Sequence, residues 1–118
     1  MFLVPWFFAI LFAISDEIVV SLLVRREYTA DRSSWEADGK PRGMFWIPPE
    51  AKIGRWYVTY ASGHAGQRAR WKWLFTNPKW MAQVDDAHIL MLLHRIFLSG
   101  FLLLAIAPFV IAVLVSSV

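Results

Sequence analysis

The sequence predicts an all-α membrane protein in which two transmembrane helices form an antiparallel hairpin, joined by a basic, tryptophan-rich and partly irregular cytoplasmic segment. The 118 residues are 58% hydrophobic and 18% charged, whereas soluble domains carry about 25% charged residues. The mean hydropathy is +0.46. All but three of the 21 charged residues lie between Arg25 and Asp86. Each apolar stretch on either side is long enough to cross a hydrocarbon core of about 30 Å as a helix.

The first element is a transmembrane helix over residues 1–24. Its apolar run, 2–24, is interrupted only by Ser15, Asp16, Glu17 and Ser21. A cleaved signal peptide is the alternative, because Ala13-Ile14-Ser15 is similar to a small-x-small cleavage site. No basic residue precedes the apolar run, and this favours a retained span.

The second element is the connecting segment, residues 25–77. Residues 25–88 hold eleven of the twelve Lys and Arg against seven acidic residues. The positive-inside rule therefore predicts a cytoplasmic segment and extracytoplasmic termini, in the inner membrane of a bacterial cell. Prolines and glycines between 29 and 53 predict mostly irregular structure. Alternating basic and aromatic residues predict a short interfacial helix over 67–75.

The third element is a long helix over residues 78–118. Asn77 suits an N-cap, and Pro78 suits the first helical position. A helix over 78–115 would be about 57 Å long, so its first part is predicted to project from the bilayer or to lie along it. The transmembrane part is predicted at about 89–115, with a kink at Pro108.

The charges inside the spans predict an intramembrane cluster of Asp16, Glu17, His94 and Arg95. An acidic residue near the middle of a span costs roughly 2.5 to 3.5 kcal/mol, so something must compensate for it. Glu17 lies eight residues inside Arg25, and Arg95 lies seven inside His88, which are similar depths of about 12 and 10 Å. We expect Asp16 or Glu17 to pair with Arg95, with His94 taking part.

Three other interpretations of the acidic pair stay open. A tilted or frayed first helix would let both carboxylates reach interfacial water. Alternatively, the carboxylates meet cations of a neighbouring subunit. An ion or proton site is a third use of such a pair, but two helices cannot enclose a pathway.

The second half of the connecting segment predicts a docking surface. Six tryptophans lie between Trp35 and Trp80, and aromatic residues and arginine are enriched at protein interfaces. We therefore expect contacts with other membrane-protein subunits or with lipid headgroups. The residues expected there are Arg70, Trp71, Lys72, Trp73, Lys79 and Trp80.

The composition argues against most chemistry. The chain has no cysteine, which excludes disulfides, zinc–thiolate sites and iron–sulfur clusters. His88 and His94 are six residues apart and so point to different helix faces. No nucleophile elbow, P-loop or dinucleotide fingerprint is present. We expect no enzyme activity, no metal or cofactor, no nucleic acid and no small-molecule substrate.

Two families offer resemblances. The layout of two terminal spans around a basic middle resembles the bacterial universal stress protein B family, and Trp56–Tyr60 is similar to an aromatic stretch there; that family has no assigned reaction to carry over. The segment His94–Gly100, followed by Ala105–Ala107, resembles the span of light-harvesting β polypeptides. Their pigment ligand is a histidine deep in the span, where this chain has only apolar residues. We assign the chain to neither family.

The sequence thus predicts a non-catalytic accessory or assembly subunit of a larger multi-subunit inner-membrane complex, with respiratory or photosynthetic complexes as the first candidates. The alternative is a free-standing small membrane stress or regulatory protein that acts as a homo-oligomer. A transporter component that uses Asp16 and Glu17 is a third class.

Overall fold

A computed structural model describes residues 3–49 and 57–117 of the chain, the stretch 57–63 by its backbone alone. All regular structure in these ranges is helical, as predicted. The elements are α1 (Leu3–Ala30), α2 (Arg32–Ala37), α3 (Tyr57–Phe75), a 3₁₀ turn (Lys79–Gln83) and α4 (Ala87–Ser116). By length and composition, α1 and α4 could each cross a membrane.

Helix α1 continues beyond the predicted span, because no proline or glycine interrupts it after Val24. It ends one residue before Asp31, whose side chain caps α2 by accepting a hydrogen bond from the Ser34 backbone N–H at 3.2 Å. Gly39 and Lys40 have φ angles of +92° and +55°. This left-handed turn stops α2 and sends the chain back along α1.

The connecting segment contains more helix than we predicted. Helix α3 spans 19 residues, although we predicted a helix only over 67–75. Arg55 and Trp56, at the start of the aromatic stretch, lie outside the described residues.

Pro78 does not begin one long helix, which corrects the prediction for 78–118. It precedes the 3₁₀ turn, and Val84 is extended. Trp80 and Met81 are buried in the core, and their burial explains why the chain turns here. Helix α4 then spans 30 residues, or about 45 Å, and it includes Pro108.

Helices α1 and α4 lie side by side along most of their length. Their contacts pair Arg26 with Asp86, Asp16 with His94, Phe12 with Phe97, and Trp6 with Phe109. Residue numbers fall along α1 as they rise along α4, so the helices run in opposite directions. Most side chains of 3–15 and 103–117 are exposed, whereas those of 16–27 are mostly buried. The protein core therefore surrounds only one end of the helix pair.

Tryptophans dominate that core. Trp35, Trp73 and Trp80 are buried with Leu23 and Met91. The Trp35 Nε1–H donates to the Pro41 carbonyl at 2.8 Å, which ties the loop after α2 to the core. A segment predicted to be irregular and held by partners thus forms a folded layer on α1 and α4.

Two glycines allow that layer to pack closely. A Cβ on Gly43 would lie 2.1 Å from the Ser21 Oγ, and one on Gly66 would lie 2.2 Å from the Arg42 carbonyl oxygen. Because neither contact leaves room for a methyl group, both positions require glycine.

We therefore expect Gly66→Ala to lower the free energy of unfolding by about 1–3 kcal/mol, because the loop would have to move off α3. The matched control is Gly100→Ala, where the added Cβ would lie 3.5 Å from the Phe12 ring. There the helix should gain about 0.5–1 kcal/mol. Circular dichroism in detergent measures the thermal unfolding of both variants. Equal melting temperatures for Gly66→Ala and Gly100→Ala would contradict the close packing.

Candidate functional site

The main polar feature of the described structure is a cluster of four buried side chains, which we call the ionic cluster: Asp16, Glu17, Arg70 and His94. The Arg70 Nε donates to Asp16 Oδ2 at 2.7 Å, and its Nη1 donates to Glu17 Oε1 at 2.8 Å. His94 Nδ1 lies 2.6 Å from Asp16 Oδ1, and its Nε2 lies 2.8 Å from the Arg70 carbonyl oxygen. The cluster joins α1, α3 and α4.

The local helix geometry explains why one arginine reaches two carboxylates. Asp16 and Glu17 are consecutive residues of α1, so their side chains point about 100° apart. The guanidinium is a rigid fork that donates in two directions and can span both. Asp16 and His94 are 0% exposed, and the Arg70 side chain is 11% exposed.

The hydrogen-bond partners of His94 determine how many protons the ionic cluster holds. A backbone carbonyl can only accept, so Nε2 must carry a proton toward Arg70. The short contact between Nδ1 and the Asp16 carboxylate then needs a second proton, on either the ring or the carboxyl. That proton and the Arg70 charge together balance two carboxylates. The cluster is neutral overall, as burial of charged groups requires.

Arg95 lies outside the ionic cluster, which corrects the predicted pairing with Asp16 or Glu17. Its Nε donates to the Trp73 carbonyl at 3.1 Å, and its Nη2 donates to the Thr76 carbonyl at 3.0 Å and to Asn77 Oδ1 at 2.6 Å. These contacts satisfy carbonyls at the C-terminal end of α3. Arg95 is next to His94, so it points about 100° away from Asp16 and toward that end.

The structure divides the six predicted interface residues into two groups. Trp73 and Trp80 are buried, with ring centroids 5.7 Å apart in an edge-to-face arrangement, and Arg70 belongs to the ionic cluster. These three stabilise the chain's own fold, contrary to the prediction. Trp71, Lys72 and Lys79 are exposed, and Lys72 Nζ lies 3.1 Å from Asp38 Oδ1.

Glu27 is a buried acid that sequence reasoning missed. It is fully buried in α1, and within the described part of the chain neither carboxylate oxygen has a hydrogen-bond partner. The Nε1 atoms of Trp73 and Trp80 are also buried without a partner there. A buried polar group without a partner costs about 1–3 kcal/mol, so we expect Glu27 to weaken the core, although Asp38 and the Trp80 indole lie close enough to interact with it. In the sequence Glu27 directly follows Arg25 and Arg26, and this position does not predict that it is buried.

The ionic cluster is suited to holding helices together. Asp16 and His94 are fully buried, whereas Glu17 also lines a small pocket with Met44 and Gln67. The described residues contain no group of three or more His, Asp or Glu arranged to hold a metal ion.

Comparisons with known proteins find no matching family model, no matching curated protein and no matching solved structure.

Removal of the shared cation should destabilise the fold strongly. We expect Arg70→Gln to lower the free energy of unfolding by about 3–5 kcal/mol, because two buried carboxylates lose their partner. Arg68→Gln, at an exposed position of the same helix, should change it by less than about 0.5 kcal/mol. Chemical unfolding in mixed micelles measures both, and similar losses for the two variants would count against the ionic cluster.

The two buried glutamates should respond in opposite directions to the same substitution. Glu27→Met should raise the free energy of unfolding by about 1–3 kcal/mol, because it removes an unpartnered carboxyl and keeps the volume. Glu17→Met should lower it, because Arg70 loses an acceptor. Melting temperatures of the two purified variants, compared with the parent chain, test this; a loss at both positions would show that Glu27 has a stabilising partner.

Proposed function

We propose that this chain is a non-catalytic accessory subunit of a larger inner-membrane complex. In this proposal α1 and α4 cross the bilayer as an antiparallel hairpin. The connecting segment, folded as a layer around the inner ends of the helices, lies on the cytoplasmic side.

The length of the uncharged part of α4 supports the crossing. Residues 96–115 are twenty residues without a charge, or about 30 Å of helix, which equals the thickness of the hydrocarbon core. The inner boundary of the hydrocarbon then lies near His94 and Arg95. Because Asp16 contacts His94, the ionic cluster lies at this boundary, between the lipid-facing part of the hairpin and the folded layer. Residues 3–15 of α1 then give about 20 Å of helix on the lipid side, so the crossing by α1 requires local thinning of the bilayer.

The charge distribution supports the orientation. Residues 25–88 have a local excess of four positive charges, from eleven cations and seven acids. Basic residues near span ends are retained in the cytoplasm. The layer that contains α2 and α3 is therefore assigned to the cytoplasmic face.

The observation that carries the partner proposal is an apolar groove at the outer end of the hairpin. The groove has a volume of about 590 Å³. Small side chains and prolines line much of it, and such residues allow close approach of a second transmembrane helix. The lining residues are Pro5, Leu104, Ala107, Pro108, Ile111, Ala112, Val115 and Ser116.

A helix would fill this groove better than lipid would. Lipid tails are as apolar as leucine, so the exposed leucines and valines of α4 need no protein partner in a bilayer. A concave surface lined in part by alanines is different, because rigid packing against it gains van der Waals contacts that mobile chains do not maintain. We therefore assign the groove to a transmembrane helix of a larger subunit.

Filling the groove tests the proposal. A tagged chain, extracted from its native membrane in mild detergent, should co-migrate with larger subunits at a fixed stoichiometry. The double variant Ala107→Leu, Ala112→Leu should reduce the co-migrating fraction at least about five-fold, since overpacking costs about 1–3 kcal/mol and 1.4 kcal/mol is ten-fold.

The control places two leucines on the same helix outside the groove, with one added carbon at each site instead of three. Val110→Leu with Val113→Leu changes exposed positions that do not line the groove and should leave co-migration unchanged. If the parent chain instead runs as a small homogeneous species, the accessory role is wrong, and the homo-oligomeric stress or regulatory protein takes its place.

A further inference from the structure

Beside the row that holds Arg70, helix α3 presents three stripes of side chains. Ala65, Ala69 and Trp73 are buried in the core. A second stripe, with the i, i+4 spacing of a helix face, contains Gln67, Trp71 and Phe75 and is exposed. A third exposed stripe is basic and contains His64, Arg68 and Lys72. An aromatic stripe beside a basic one is typical of helices that lie in a membrane interface.

The aromatic stripe continues onto the loop after α2. Met44 and Gln67 line the same small pocket, so the loop lies beside the beginning of the stripe. Met44 is 62% exposed and Phe45 is 58% exposed, while Trp71 and Phe75 are 45% and 82% exposed. We call these four side chains the aromatic edge: Met44, Phe45, Trp71 and Phe75.

Hydrogen bonds from α3 and from the loop after α2 fix the position of the aromatic edge along α1 and α4. The Arg70 carbonyl contacts His94, and the Trp73 and Thr76 carbonyls contact Arg95. The Phe45 N–H donates to the Ser21 Oγ at 3.0 Å, and Ser21 is five residues, or about 7.5 Å, along α1 from Asp16. The edge thus lies between the level of the ionic cluster and about one and a half helix turns to its cytoplasmic side.

We infer that the aromatic edge inserts at the boundary between headgroups and acyl chains of an anionic cytoplasmic leaflet, with Arg68 near the headgroup phosphates and Lys72, which also pairs with Asp38, beside it. This level is where the hydrocarbon of the proposed bilayer ends, and aromatic side chains are enriched there. Charge complementarity identifies the occupant, because cations next to an exposed apolar strip suit acidic lipid better than an apolar protein surface.

The inference rests on the proposed crossing of the bilayer by α1 and α4 but not on the partner subunit. The chain has no cysteine, so one introduced cysteine can carry a bimane fluorophore at a single site. The edge site is Phe75→Cys. The span site is Leu103→Cys, in the uncharged part of α4, and the control on the folded layer is Glu36→Cys, which is exposed on α2.

Each labelled protein is placed in lipid nanodiscs and quenched either by iodide from water or by brominated acyl chains. The edge site should be quenched by brominated lipid and protected from iodide, whereas the Glu36 site should show the reverse. With equal amounts of each lipid, brominated phosphatidylglycerol should quench the edge site more than brominated phosphatidylcholine. The enrichment of phosphatidylglycerol over phosphatidylcholine beside the edge site should be up to roughly five-fold for each contributing cation.

Three results would overturn the inference. Iodide quenching of the edge site as strong as that of the Glu36 site would place the edge in water. Protection from both quenchers would mean that a protein surface, such as a second copy of the chain, covers it. Equal quenching by the two brominated lipids would remove the preference for acidic lipid. The span site distinguishes failure of this inference from failure of the proposed function. Iodide quenching at Leu103→Cys would show that α4 does not cross the bilayer.

Discussion

The contact of the Arg70 guanidinium with Asp16 and Glu17 joins parts of the chain that are 54 and 53 residues apart. The same arginine's carbonyl accepts from His94, whose other ring nitrogen meets Asp16 again. Three helices are thereby held at one level by polar groups that are almost completely removed from water. A buried carboxylate that loses its cation costs several kcal/mol. The ionic cluster therefore sets the register of α3 on the other two helices.

That register decides where the rest of the connecting segment lies. With Arg70 in the ionic cluster, Trp73 faces the core and meets Trp80, and the end of α3 comes within reach of Arg95. Trp71 and Phe75 then have to face outward. The exposed aromatic residues are thus a geometric consequence of the buried ions, because a helix that turns one face toward α1 and α4 presents another face about 100° away.

Hydropathy and charge counts were sufficient to predict the coarse fold from the sequence, since two long apolar helices leave an unmistakable pattern. Asp16, Glu17 and His94 also stood out, because polar groups in an apolar run need an explanation. Their cation could not be identified in the same way. Arg95 is the cation that depth in the second span predicts. That prediction assumes that only the two spans reach the level of Asp16 and Glu17. Arg70 comes from a helix expected on the surface, and no spacing rule links it to residues more than fifty positions away.

Two further errors, about tryptophan and about Pro78, arise because local sequence does not reveal tertiary burial. An indole next to lysine or arginine has the same local sequence whether it anchors in lipid or fills a core, so Trp73 and Trp80 could not be separated from Trp71. Asn77-Pro78 is a sound helix start locally, but burial of Trp80 and Met81 outweighs propensity and leaves a 3₁₀ turn instead. In both cases tertiary burial decided between local alternatives of similar energy.

The helices α1 and α4 each serve two surroundings, and this explains why charges can occur inside apolar runs. Toward one end their side chains are apolar and exposed, as suits lipid. Toward the other end the same helices are covered by α2, α3 and the loop, where Glu17, Glu27 and His94 are buried by protein. A charge in the ionic cluster is stabilised by a partner side chain rather than by the bilayer, so its cost depends on the fold of the connecting segment. Residues 3–15 and 103–117 carry no charged side chain, so the partner helix proposed above would have to be recognised through shape, at the groove that Ala107 and Ala112 line.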